Sequence, residues 1–347
     1  MGKNLPTTDR LATVFGGSGF VGRHIVQALA RDGWRVLAAV RRPDLAGFLR
    51  PLGAVGQIEL VQANLRYPES VAAAVAGADL VVNAVGVKRQ TGRQTYDAVH
   101  VSGAAAVAQA ATAAGIDKLV HISGIGADAR SPNAYVASKG FGEAATLEAA
   151  PSAIILRPSV LFGPEDDFLN RFGALARGLP VLPLFGGGET RLQPTFVGDV
   201  AQAALAAIAN PAAAGRVYEL GGPEILTLRQ IVELTLHIVE RRRGLVALPF
   251  PVARLLAWST EVASALSFGK FPQSLTTTRD EVELLRGDNV VSAAAIAEGR
   301  TFHDLGVNAQ AIEAIAPSYL YRFRKTGQYG ARHLVNAAEP QRRVSSS

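Results

Sequence analysis

Two residues set four apart, Tyr135 and Lys139 in Tyr-Val-Ala-Ser-Lys, are the first candidates for chemistry in this sequence. On a helix, positions i and i+4 share a face, so the phenol and the ammonium would lie one turn apart. An ammonium placed there can hold a ribose and lower the pKa of the phenol, which can then exchange a proton with a carbonyl or an alcohol. The chain has only six lysines, so a chance pairing at this spacing is a poor explanation. A second candidate lies where an apolar run, Leu11–Phe15, leads into Gly16-Gly17-Ser18-Gly19-Phe20-Val21-Gly22. Glycines at 16, 19 and 22 permit a sharp turn, let backbone N–H groups approach a pyrophosphate, and let a helix sit close on a strand. Ser18, Phe20 and Val21 complete the loop, and the following helix offers unpaired N–H donors and partial positive charge to the phosphates.

The exit of the next apolar run, Arg35–Val40, distinguishes between dinucleotides. A site for NAD carries Asp or Glu there, bound to the ribose 2′-hydroxyl. This chain carries Arg41 and Arg42, with no acid before Asp44. Guanidinium groups pair with a 2′-phosphate that a carboxylate would repel. The sequence therefore predicts NADPH (NADP), with Arg41 the first choice of ligand and Arg42 the second.

These groups need a frame that brings them to one edge. Apolar runs at Leu11–Phe15, Arg35–Val40, Ile58–Val61, Leu80–Val85, Leu119–Ser123 and Ile154–Leu156 alternate with helical stretches near 20–32, 68–76, 96–114 and 135–149. Buried strands alternating with helices predict an α/β fold, a Rossmann-type doubly wound parallel sheet with helices on both faces. From about residue 158 the pattern changes to loops with Pro and Gly, helices near 199–209, 227–242 and 251–267, and a strand at Arg216–Leu220. The domain reading is an NADP(H)-binding domain over 1–157, a smaller mixed C-terminal lobe over 158–330 whose chain can cross back to the sheet, and a basic, flexible tail over 331–347.

Composition narrows the remaining chemistry. There is no cysteine, which excludes disulfides, thiolate nucleophiles, iron–sulfur clusters and cysteine-based zinc sites. The six histidines, at 24, 100, 121, 237, 303 and 333, show no paired ligand spacing, so no metal site is expected. The net charge of +6 is concentrated in residues 318–347, which hold six cations against Glu339 and leave the rest nearly neutral. No nucleic-acid partner is expected from such a distribution. The charged end is entered through Tyr319, Tyr321 and Phe323 interleaved with Arg322 and Arg324, and reads as a docking arm that lies along a partner.

Several segments admit two readings. No apolar run reaches the roughly 18 residues of a spanning helix, and Leu245–Phe268 is broken by Pro249, Pro251, Arg254 and Glu261. Within it Val252, Leu255, Leu256, Val262 and Leu266 recur at helical spacing with Trp258 nearby. That face suits a bilayer interface, a membrane subunit or the lobe's own core. Glu240-Arg241-Arg242-Arg243 reads as cations at a helix C-terminus, or as a contact for anionic lipid or a partner. Glu165-Asp166-Asp167 reads as a solvated loop rather than an acid/base pair.

The glycine loop, the His121-Ile122-Ser123 strand end, Tyr135–Lys139 and Leu156-Arg157-Pro158-Ser159-Val160-Leu161-Phe162-Gly163 together resemble the extended short-chain dehydrogenase/reductase family. The resemblance implies a Rossmann domain with a small substrate lobe, and chemistry shared among Ser or Thr, Tyr and Lys. It places Asn64 and Leu65 near the adenine, Ala84, Val85 and Gly86 near the ribose and pyrophosphate, and Pro158 to Val160 beside the nicotinamide. The chain departs from the family at the hydroxyl: Ser123 is followed by Gly124-Ile125-Gly126, where many active members carry further Ser or Thr. Ser123, Tyr135 and Lys139 are thus candidates for catalysis without a firm assignment.

Further along, Leu248–Leu256, Thr278–Val291 and Ala316–Arg324 are similar to a family of NADPH-binding accessory subunits of respiratory complex I, the alpha-subcomplex subunit 9 or 39-kDa type with its bacterial homologues. That resemblance covers nearly the whole chain. It implies a tightly held structural NADPH, no established turnover, and docking to complex I subunits at the junction of the peripheral and membrane arms. With no presequence, it implies a peripheral position on the cytoplasmic side of a bacterial inner membrane, where 245–268 can touch the bilayer. Two other readings stay open: an active NADP-dependent reductase or epimerase using Tyr135 and Lys139, and a regulator that senses NADP(H).

Overall fold

The computed structural model describes residues 9–266 and 278–327. Six short apolar strands, β1 (Leu11–Phe15), β2 (Arg35–Val40), β3 (Ile58–Gln62), β4 (Leu80–Asn83), β5 (Leu119–Ile122) and β6 (Ile154–Pro158), form one sheet with a seventh, Val217–Leu220. The order is β3-β2-β1-β4-β5-β6 and then Val217–Leu220, and every neighbouring pair is parallel. Helices α1 (Phe20–Arg31), α2 (Pro68–Val75), α3 (Ser102–Ala113) and α4 (Ala134–Ala149) connect the strands. This is the doubly wound Rossmann-type sheet that the alternating runs predict. The strand order reverses between β1 and β4, which opens a crevice at their carboxyl ends.

Alternation along β1 shows how the layers are fixed. Ala12 and Val14 enter the core beneath α1 and the helix Val197–Ala209, whereas Phe15 enters the core beneath α2 and α3. Thr13, the polar member, donates from Oγ1 to Ala74 O at 2.8 Å, so burial leaves its hydroxyl satisfied. Strand register then lines up Phe15, Asn83 and His121 at the same edge.

After β6 the chain returns twice to the sheet, with Val197–Ala209 against α1 and Val217–Leu220 beside β6. The remainder builds a second core from the helices Leu169–Gly178 and Leu228–Ile238 with the parallel strands Val181–Phe185 and Gly244–Leu248. Those strands and Leu169–Gly178 escaped the sequence reading. Pro183 stands inside one strand and Pro249 just after the other, and a two-stranded ribbon tolerates proline because each strand keeps a free edge.

Two expectations are corrected here. Tyr319, Leu320 and Phe323 are buried in the second core rather than laid out for a partner. Their spacing of three and four places them on one helical face. The interleaved arginines fold back: Arg324 Nε donates to Ile238 O at 2.9 Å and Arg322 Nη2 to Asn170 Oδ1 at 2.6 Å. Second, the helix expected over 227–242 stops at Ile238. Glu240 turns left-handed at φ 54° and Arg241 N donates back to Leu236 O at 3.0 Å. Arg241 and Arg243 then donate to Phe323 O at 2.7 Å and Ala176 O at 2.8 Å, so these two cations serve carbonyls of neighbouring segments.

Of the places open to the apolar face of the helix Phe250–Leu266, its described large side chains from Val252 to Trp258 do not take the lobe's own core. Ala253 and Ala257 face inward toward Phe185, Phe250 and Val282. Val252, Leu255 and Trp258 are 50%, 65% and 50% exposed. The apolar stripe therefore points outward. The side chains of Val262 and Leu266, and the tail 331–347, lie outside the described residues. Among the described residues no helix is long and apolar enough to cross a membrane.

Candidate functional site

The turn from β1 into α1 requires glycine on steric grounds. Gly16 has φ 75°, and a Cβ there would lie 2.9 Å from Ala84 O. A Cβ on Gly22 would lie 2.1 Å from Gly16 O, inside any tolerable contact. Gly19 is the N-cap of α1; no side chain caps the helix and no acid stands in its first turn. Its first N–H groups are thus available to an anion. Arg23 Nη2 donates to Ser18 O at 3.1 Å, Phe20 lies edge-on to His24, and Val21 packs into the first core.

Beyond β4, the Ala84 carbonyl faces Gly16, and Val85 N donates to Asn83 Oδ1 at 3.2 Å. A Cβ on Gly86 would come within 3.5 Å of Lys139 Nζ, so the two turns and the lysine converge. On the other side of β1, Arg42 makes a forked pair with Asp44, at 3.0 Å through Nε and 2.7 Å through Nη2. Arg41 is exposed and has no acidic partner among the described residues. Asn64 Oδ1 accepts from Arg66 N at 3.2 Å, and Leu65 lies against Gly103 of α3.

The start of α4 sets the phase of Tyr135 and Lys139. Asn133 Oδ1 accepts from Tyr135 N at 3.0 Å and Val136 N at 3.2 Å, a side-chain cap that begins the helix here. Lys139 is buried, with Nζ 3.5 Å from Ile122 O. Burial pushes its ammonium down to about 8, against the pull of Glu143 one turn on. Burial also raises the Tyr135 phenol. The lowering expected from the neighbouring lysine is not seen, and Tyr135 stands protonated at neutral pH.

Around this pair the structure assembles side chains that the sequence reading passed over. The rings of Tyr96 and His100 stack at 5.6 Å, and Tyr135 meets both edge-on at 5.6 Å. Val87 N donates to His100 Nε2 at 3.0 Å, and Ser138 Oγ, 2.9 Å from His100 Nδ1, donates to Tyr135 O at 2.7 Å. These contacts fit one state only, a neutral imidazole with its proton on Nδ1. Burial and the nearby Lys139 push His100 down to about 3. Tyr96 Oη lies 2.9 Å from Lys88 O and 3.1 Å from Asp280 Oδ2, which brings the second lobe to the site. His100 sits in a wide turn of five residues, Asp97–Val101, that a 3.6-residue period places on the wrong face.

At the ends of β5 and β6, Ser123 Oγ is buried without a hydrogen-bond partner among the described residues. Beyond it, Ile125 N donates to Pro158 O at 3.0 Å. Asn289, from the segment Thr278–Val291, reaches in here: its Oδ1 accepts from Val160 N at 3.1 Å and Ser159 Oγ at 2.6 Å. Its Nδ2 donates to Ile125 O at 3.2 Å. The acidic triplet is not a solvated loop throughout. Asp166 is buried and accepts from Gly163 N at 2.9 Å, Asn170 N at 3.0 Å and Tyr319 Oη at 2.8 Å. Glu165 and Asp167 meet His24 at 3.3 Å and Lys88 at 2.9 Å.

The arrangement fits a dinucleotide: a glycine cradle, an uncapped helix N-terminus, a buried lysine, and an unpaired Ser123 hydroxyl at the crevice end. Below it lies a charged support. Arg157 makes a forked pair with Glu143, at 2.9 and 2.6 Å, and lies 3.6 Å from Glu219.

With this geometry in hand, the comparisons with known proteins are consistent. Residues 12–221 match the NAD dependent epimerase/dehydratase family. The chain is 32% identical, over 91% of its length and 79% of the relative's, to "NADH dehydrogenase [ubiquinone] 1 alpha subcomplex subunit 9, mitochondrial" of Arabidopsis thaliana. It is 33% identical, over 83% of its length and 88% of the relative's, to a ceramide reductase of Caulobacter vibrioides. Among solved structures, an NADPH-dependent quinone oxidoreductase of Escherichia coli complexed with NADPH superposes with TM-score 0.65 at 18% identity, covering 89% of this chain and 99% of the other. That last likeness shows the fold.

Proposed function

We propose that this chain, which belongs to the NAD dependent epimerase/dehydratase family, holds NADP(H) as a non-catalytic accessory subunit of NADH:ubiquinone oxidoreductase, complex I. The observation that carries the reading is the likeness to alpha subcomplex subunit 9 along nine-tenths of the chain, second lobe included. The outward stripe Val252, Leu255, Leu256 and Trp258 supports it, because an apolar face of this kind belongs against a membrane subunit or a bilayer interface. The place that fits is peripheral, on the cytoplasmic side of a bacterial inner membrane, where the peripheral and membrane arms join.

The test is purification from native membranes in mild detergent. The expected result is co-migration with complex I and bound NADPH; recovery only as a free protein would sink the reading. In the same preparation, the double variant Leu255→Glu, Trp258→Glu should leave the chain folded, with an unchanged melting temperature, and detach it from the complex. Retention of the double variant at wild-type level would remove the stripe from the interface.

The cofactor reading rests on this chain's own residues. Gly16 to Gly22 would take the pyrophosphate, Asn64 and Leu65 the adenine, Ala84 to Gly86 the ribose and pyrophosphate, and Pro158 and Val160 the nicotinamide. Tyr135 and Lys139 would hold the ribose. With Arg42 engaged by Asp44, Arg41, which has no acidic partner among the described residues, is the guanidinium offered to a 2′-phosphate. Arg41→Ala is expected to weaken NADPH by about 10- to 100-fold, the worth of a charge-assisted pair, and to leave NADH unchanged. A calorimetric titration decides it, and tighter binding of NADH by the wild type would overturn the choice of NADPH.

A second reading, an NADP-dependent reductase, is favoured by the buried, unpaired hydroxyl of Ser123 and by the likeness to a ceramide reductase. When bound, NADPH supplies a hydride to a carbonyl carbon. Tyr135, kept protonated by burial, would hand its proton to the carbonyl oxygen, and Ser123 Oγ would donate a hydrogen bond to that oxygen. Oxidation of NADPH by the purified chain, dependent on a long-chain ketone, would move the conclusion to this reading.

A further inference from the structure

Asn289 belongs to the second lobe by its backbone and to the nucleotide crevice by its side chain. Its backbone pairs with the strand Arg191–Leu192: Asn289 N donates to Arg191 O at 2.9 Å, and Gln193 N donates to Asn289 O at 3.1 Å. Asp288 fixes the turn before it, accepting from Arg191 N at 2.9 Å and Nε at 2.8 Å. From that anchored position the amide spans the ends of β5 and β6. Oδ1 takes Val160 N and Ser159 Oγ, and Nδ2 gives to Ile125 O. The Ser159 hydroxyl also lies 2.9 Å from Asn289 O.

Only a carboxamide does all of this at once, because Asp lacks the donor for Ile125 O and Leu lacks both functions. The segments it ties are those left for one half of a dinucleotide. The glycine loop takes the pyrophosphate, and the exit of β2 with Arg41 takes the adenosine half. The ends of β5 and β6, with Ser123 and Val160, remain for the nicotinamide half. We infer that Asn289 is a positioning residue for the nicotinamide half: without touching the cofactor, it sets the gap between the Ser123–Ile125 turn and the Ser159–Val160 turn. This rests on the NADP(H) reading above.

The test uses two ligands that separate the halves, NADPH and adenosine 2′,5′-bisphosphate, titrated against the full chain. Asn289→Asp and Asn289→Leu are expected to weaken NADPH by about tenfold or more, the cost of a misplaced hydrogen-bonded surface, while the bisphosphate stays within about twofold. A residue that served only general stability would lower both affinities together. If Asn289→Leu fails to fold, Ser159→Ala removes one bond of the same group and should give a smaller loss with the same selectivity. Equal loss of both ligands, or no loss of NADPH, overturns the inference while the cofactor reading stands. A wild-type chain that binds neither ligand overturns the cofactor reading itself, and the inference with it.

Discussion

Replacing Arg157 with methionine is expected to lower the unfolding free energy by about 3–5 kcal/mol, the cost of leaving buried charge unpaired. Arg157 stands between two carboxylates that are themselves almost fully buried, Glu143 on α4 and Glu219 on the seventh strand. Glu219 also accepts from Ser292 N at 2.8 Å, which holds it in place when the guanidinium is gone. The variant would therefore keep two like charges in a desolvated site. Urea unfolding at about pH 7, compared with wild type, measures the loss. Adding Glu143→Gln and Glu219→Gln should recover most of the loss at neutral pH, since deleting a whole buried ion group is often neutral. A loss below about 1 kcal/mol for Arg157→Met, typical of an exposed pair, would show that the triad is effectively solvated.

That support, and much else at the site, was illegible in the sequence for a definite reason. Local signals carry local structure. The runs that became β1 to β6 are continuous and apolar because a parallel strand is covered on both faces, and the glycine loop announces its own turn. Tyr135 and Lys139 are one helical turn apart and so could be read as a pair. Arg157, Glu143 and Glu219 come from three elements, and nothing in their spacing says that a sheet brings them together. Asp166 looked like one acid of a solvated triplet until Tyr319, 153 residues away, closed over it. The same tyrosine, with Phe323, looked like part of a docking arm, since alternating rings and arginines also describe a surface. Which way such a segment faces depends on the core it meets. The stripe of Phe250–Leu266 left its side open, since large apolar side chains at helical spacing suit a core or a partner alike; Ala253 and Ala257 allow the closer approach and took the inward face.

The apo chain is also expected to lose about 2–4 kcal/mol of stability between about pH 7 and pH 5, before ordinary carboxylates protonate. The cause is a pair of buried histidines at the site. His100 accepts from Val87 N at Nε2, and a second proton there would oppose that N–H. Asn83 is oriented by Val85 N, which donates to its Oδ1, so its Nδ2 faces His121 Nδ1 at 3.2 Å and makes that nitrogen the acceptor. Burial, reinforced by Lys139, pushes both rings down to about 3. In the unfolded chain they titrate near 6.5, so below that pH the unfolded state binds more protons and stability drains away as pH falls toward about 3. Each ring contributes at most about 1.4 kcal/mol per pH unit. Lys139 does not enter this window: its stability cost appears as pH falls from its unfolded value near 10.4 through about 8 and is constant below. Urea midpoints measured across the range test the expectation, with His100→Gln as the control, since a neutral amide oxygen can still accept from Val87 N without taking a proton. The variant's curve should be shallower by the share of one ring. A wild-type curve that is flat from about pH 7 to pH 5 would mean that these rings can take protons in the folded chain, and that the neutral state inferred for His100 is wrong.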